Sequence, residues 1–133
     1  MRHRLTREAD ADITRILKNT KKLFGKRQVP IYADIIERGI AMIAENPSRP
    51  SFTERDGIRP GVKSMHLELV KNRRKSASHL IYFKETQAPD GKPEVIIIGV
   101  VHENMVPKRK LGMVLRNLDK EEVVEANPAP GRR

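Results

Sequence analysis

The sequence predicts an α+β domain: a helical hairpin packed on a small, mainly antiparallel β-sheet, with a short C-terminal helix. Two amphipathic helical patterns lie end to end, separated only by residues around Gly25. The run Val95–Val101 is apolar without alternation, as in a strand covered on both faces. Turn-forming residues, Ile58-Arg59-Pro60-Gly61 and Ala88-Pro89-Asp90-Gly91, punctuate the strand-like segments.

Taken in order, Arg2 to Leu5 forms a short first strand. Thr6 is suited to cap a helix, and Glu8 and Asp10 sit where the helix dipole favours acid. Ala9, Ile13, Ile16 and Leu23 recur at roughly helical spacing, and Lys18, Lys21 and Lys22 lie toward the C-terminal end. Gly25 ends this helix. A second helix starts near Pro30, with Ile31, Ile35, Met42 and Ile36, Ile40, Ile43 forming a wide apolar face, and Asn46-Pro47 stops it.

Ser48 to Arg59 is polar and reads as a loop. Met65, Leu67 and Leu69 alternate with Ser64, His66 and Glu68, a strand with one wet face. Lys71 to Lys75 is a basic turn. A polar-to-aromatic strand, His79-Leu80-Ile81-Tyr82-Phe83, follows, and then the central strand Val95–Val101. After Pro107, Leu111, Val114, Leu115 and Leu118 suit a short helix, which Asp119 and Glu122 are placed to restart. These patterns put a domain at 1–118 and a tail at 119–133, disordered from Asn127 onward.

The formal charge is +10. In residues 113–133, Arg116, Lys120, Arg132 and Arg133 balance Asp119, Glu121, Glu122 and Glu125, so residues 1–112 hold the excess. Such a field attracts anionic partners, whether nucleic acid or an acidic protein segment. Few aromatic residues are present, and none interleaves with basic ones as in a ladder for stacking single strands. There is no cysteine, which removes disulfides and thiolate metal sites and suits a reducing cytoplasm. No secretory signal or membrane span is expected. Nothing matches a phosphate loop, a serine or cysteine nucleophile site, or a dinucleotide fingerprint, so no cofactor is expected. A His66–His79 metal pair has no further ligands to complete it.

Several pieces, in this order, resemble the ParE/RelE superfamily of toxins from bacterial toxin–antitoxin pairs, the ParE branch most of all. They are Ala9-Asp10-Ala11-Asp12-Ile13, Phe24-Gly25, Ile43-Ala44-Glu45-Asn46-Pro47, Ile58-Arg59-Pro60-Gly61, His79-Leu80-Ile81-Tyr82-Phe83 and Val101-His102-Glu103-Asn104-Met105, with Leu111 after them. The resemblance implies a plasmid-stabilisation type toxin held in a hetero-oligomer by a cognate acidic antitoxin. ParE-like members act on DNA gyrase by binding. RelE-like members cut mRNA in the ribosome, and a shared fold does not separate the two.

RelE-like toxins resemble one another in carrying cations on the middle strands, an Arg in the last strand and a Tyr or His near the chain end. Here Val95–Val101 has no charged residue and no Tyr follows it, which favours gyrase and no catalytic residues. The nuclease alternative would use His66, Glu68, Arg73, Arg74 and His102, with His66 and Glu68 on one strand face by parity. His102 reads more simply as a strand-end residue bonded to a loop, and Tyr82 as packing. Candidates for partner binding are Lys63, Lys71, Arg73, Arg74, Lys108, Arg109 and Lys110.

Overall fold

The computed structural model describes residues 1–126, with side chains through residue 119. Its elements are β1 (Arg2–Leu5), α1 (Arg7–Phe24), α2 (Gln28–Glu45), β2 (Thr53–Glu54), β3 (Val62–His66), a 3-10 turn (Leu67–Leu69), β4 (His79–Gln87), β5 (Pro93–His102) and α3 (Pro107–Ala126). The sheet order is β1-β5-β4-β3-β2. Only the β1–β5 pair is parallel. The α+β class, the helical hairpin and the C-terminal helix are therefore as the sequence predicts.

Thr6 accepts the Ala9 N–H and so caps α1. Gly25 ends the helix at φ 90°, a backbone region that a side chain would disfavour. Leu23 does not join the core: it and Phe24 are 72% and 71% exposed at the hairpin end. α2 begins two residues before Pro30, whose missing N–H still falls in the first turn. Ile35, Ile36, Ile40 and Ile43 are buried as the periodicity requires, whereas Ile31 stays exposed.

β5 lies between β1 and β4 and is covered on both sides. One core layer joins Ile16, Ile36 and Ile43 of the hairpin to Met65, Ile81, Ile97 and Val100. The other joins Leu111, Val114, Leu115 and Leu118 of α3 to Val62, Tyr82, Ile96 and Ile98. That burial on both faces is why Val95–Val101 shows no alternation. The strand starts earlier than the apolar run and includes Glu94, a buried carboxylate that bonds Arg4 Nε at 2.9 Å.

Three expectations are corrected. Ser48 to Arg59 is not wholly loop, since Thr53–Glu54 pairs with Lys63 and Ser64 as β2. The strand through Met65 stops at His66; Leu67 and Leu69 belong to a 3-10 turn, so Glu68 does not share a strand face with His66. The alternation misleads because Leu67 is buried here by the close approach of α2 at Gly39, where a side chain would run into Leu67 Cδ2. α3 also passes through Asp119 without a restart, and Arg59 bonds the Asp119 carboxylate from the side. The tail expected at Asn127 to Arg133 lies outside the described residues.

Candidate functional site

His79 opens β4 and His102 closes β5, and the register sets them opposite each other. Their rings meet edge to face at 5.2 Å. Tyr32 reaches them from α2. Its hydroxyl accepts the Ser78 N–H at 3.2 Å and lies 2.6 Å from His79 Nδ1. With the hydroxyl donating to Nδ1, the His79 proton belongs on Nε2. Burial, and then the neighbouring His102, lower the His79 pKa to about 4. The same burial raises the Tyr32 hydroxyl. The pair is neutral and hydrogen-bonded near pH 7.

His102 Nδ1 accepts the Asn104 N–H at 3.1 Å, so His102 is the loop-bonded strand end that the sequence favours. His66 shares the α3-side face of Val62, whereas His79 and His102 share the hairpin-side face of Ile81 and Val100. His66 Nδ1 accepts the Glu68 N–H at 3.1 Å, and Nε2 lies 2.8 Å from Glu103 Oε1. That hydrogen bond is the main cause that holds the Glu103 carboxyl below its ordinary pKa. Glu68 donates its N–H to His66 Nδ1, and its carboxylate Oε2 lies 4.0 Å from that nitrogen and accepts the Lys75 N–H at 3.1 Å. Of the nuclease candidates, His66, Glu68 and His102 stand at one end of the sheet, where Glu103 bonds His66 and acts electrostatically on His102 and His79, while Arg73 and Arg74 lie on the exposed basic turn.

A pocket of about 370 Å³ opens between the hairpin end and the start of β4. Leu23, Phe24, Gln28, Tyr32, His79 and His102 line it, with Lys75 and Ser76 at one side. Sequence reasoning named His79 and His102 but neither Tyr32 nor the rim formed by Leu23 and Phe24. Exposure of those two at a helix end has no signature in a periodic pattern.

Of the cations proposed for partner contact, Lys71, Arg73, Arg74, Lys108 and Arg109 are exposed. Lys63 is half-buried, with Nζ 3.5 Å from the Pro47 carbonyl. Lys110 turns inward, its Nζ 2.9 Å from Asp12 Oδ1. Tyr82 packs within β4, 2% exposed, and its hydroxyl accepts from Arg55, which also bonds Ser64 Oγ. Among the described residues no cluster of three or more His, Cys, Asp or Glu is placed to hold a metal ion, and no helix is long and apolar enough to cross a membrane.

No curated protein matches the chain. The family model described as ParE toxin of type II toxin-antitoxin system, parDE, matches residues 4–107, from β1 to the first residue of α3. On that match over most of its length, together with the hairpin-on-sheet fold, the chain belongs to the ParE toxin family, the toxin partners of type II toxin–antitoxin complexes.

Proposed function

We propose that this toxin inhibits DNA gyrase by binding, without chemistry of its own, and that a cognate acidic antitoxin neutralises it. The observation that carries this reading is the engagement of the sheet-end histidines inside the protein. His79 is half-buried against Tyr32, and His102 accepts a loop N–H. Groups committed in this way set the end of the sheet. The middle of β5 is apolar and buried, and offers no cation to a phosphate.

The excess of positive charge and the exposed Ile31 of the hairpin support an acidic amphipathic antitoxin segment lying along the hairpin and sheet. Its aliphatic anchors would sit centrally and its carboxylates on the basic rim. Co-purification with the small protein encoded beside this gene tests that part. A stable monomer indifferent to that protein would refute it.

One observation favours the ribosome-dependent mRNA endonuclease reading. His66 and Glu103 form a hydrogen-bonded acid–base pair at a partly exposed strand end. Expression without antitoxin separates the two. Gyrase poisoning gives filamentous cells with DNA-damage signalling, and mRNA cutting stops translation within minutes. On the gyrase reading, folded His66→Ala, His79→Ala and His102→Ala chains remain toxic. Loss of a general acid or base would lower a cleavage rate ~10²–10⁴-fold.

A further inference from the structure

Two stretches of chain without acidic residues meet around the pocket at the hairpin end. One lies between Asp12 and Asp34, the other between Glu68 and Glu85. Lys21, Lys22, Lys26 and Arg27 of the first and Arg73 and Arg74 of the second are exposed. Among the described residues, none of these six is paired with a carboxylate.

The second stretch is a built turn. Asn72 and Lys75 have φ of 50° and 63°; asparagine adopts this region readily, whereas at Lys75 the surroundings have to hold it. Here Glu68 Oε2 accepts the Lys75 N–H, and Ser76 Oγ donates to the Arg73 carbonyl at 2.6 Å. Arg73 and Arg74 are therefore presented on a fixed frame. Between the two cationic stretches the pocket carries Phe24 at its rim, the amides of Asn19 and Gln28, and the imidazole of His102.

We propose that this end of the molecule binds single-stranded DNA. One unpaired base rests against Phe24 in the pocket, and the flanking phosphates run along the hairpin cations and the Arg73–Arg74 turn. A cationic groove beside an exposed ring is how sequence-tolerant single-strand binding works. Six cations unpaired among the described residues, with no acid in either stretch, favour this over a protein partner, because nucleic-acid interfaces are much more positively charged than protein interfaces, whose centres are depleted in charge. Phe24 is the one exposed aromatic side chain among the described residues, so the site takes a single base and not a stacked row. The choice of DNA over RNA rests on the proposed gyrase target, an enzyme that works on DNA.

The test is fluorescence anisotropy of the full chain with a short labelled single-stranded DNA, the same sequence as RNA, and poly-L-glutamate as a polyanion without bases. DNA should bind most tightly, with log Kd against log salt changing by about 3 for about four neutralised phosphates. Phe24→Ala should weaken it about tenfold, the loss of one base stack. The Arg73→Glu, Arg74→Glu double variant should weaken it further and flatten the salt dependence. Both changes are at exposed positions, so unchanged melting temperatures check folding.

Four results would overturn the proposal. Polyglutamate binding as tightly as DNA would make the surface a dock for acidic protein. A Phe24→Ala chain that binds like the parent would empty the pocket of its base. RNA binding more tightly than DNA would refute the choice of strand. Toxicity is measured on the parent chain: a parent that poisons gyrase yet binds no single-stranded DNA refutes this site and leaves the gyrase reading standing.

Discussion

Replacing Asp12 should destabilise the toxin more than any exposed charge would. Asp12 is 3% exposed on α1 and joins three elements. Its Oδ2 accepts the Val100 N–H of β5 at 3.1 Å, and its Oδ1 receives Arg15 at 2.7 Å and Lys110 of α3 at 2.9 Å. The need for it comes from β1. That strand pairs with β5 only as far as Leu5 opposite Ile97, so the edge of β5 beyond has lost its neighbour. Thr6 Oγ1 covers the Ile98 carbonyl at 2.9 Å, and Asp12 covers Val100.

Asp12→Ala leaves the Val100 N–H buried without an acceptor, at a cost of about 1–3 kcal/mol. Arg15, about half exposed, and Lys110, about a quarter exposed, can turn to water, so their lost pairing adds only about 0.5–1 kcal/mol in total. The sum is about 3 kcal/mol, or a fall in Tm of about 10 °C for a domain of this size. Asp12→Asn keeps an acceptor for Val100 and should lose about 1 kcal/mol. Urea denaturation and calorimetry read both. The reasoning fails if Asp12→Ala lies within about 0.5 kcal/mol of the parent, or if Asn is as damaging as Ala.

Gly99→Ala should cost about 1–3 kcal/mol, because its new methyl would stand 2.8 Å from Leu111 Cδ2 and 3.2 Å from Asp12 Oδ2; an unchanged urea midpoint would contradict that packing. His79 is harder to protonate when folded than at its ordinary 6.5, so the unfolded chain binds more protons. Its contribution to stability is complete above about pH 6.5 and is lost as pH falls toward about 4; His102, Glu103, His66 and Arg15 also act on it electrostatically. His79→Gln should flatten the stability–pH curve above pH 5, and NMR titration of the imidazole checks the value. Truncation after Ala126 should preserve Tm and antitoxin binding. Truncation after Met113 removes the buried Val114, Leu115 and Leu118 and should weaken one or both, at ~2–5 kcal/mol for each large side chain lost. Equal behaviour of the two truncations would show that the folded unit ends elsewhere.

Local chemistry made much of this molecule legible from its residues alone. Thr6, Gly25, Asn46-Pro47 and Ala88-Pro89-Asp90-Gly91 act through their own backbone preferences, and the helices and turn sit where those preferences put them. The unbroken run Val95–Val101 announced a strand with two covered faces, because only double burial removes alternation. The ordered pieces from Ala9 to Leu111 carried the family. Long-range contact decided the rest. Leu67 has the parity of a strand residue, yet α2 at Gly39 draws it into a 3-10 turn, which separates Glu68 from the face of His66. Leu23 fits a helical stripe, but the hairpin ends before any layer covers it. Asp12 reads as one more acid on α1; only where β1 stops beside β5 makes it the acceptor for Val100. Tyr32 joins His79 and His102 across a sequence gap that no local pattern spans, since hydrogen bonds between distant elements depend on register and packing.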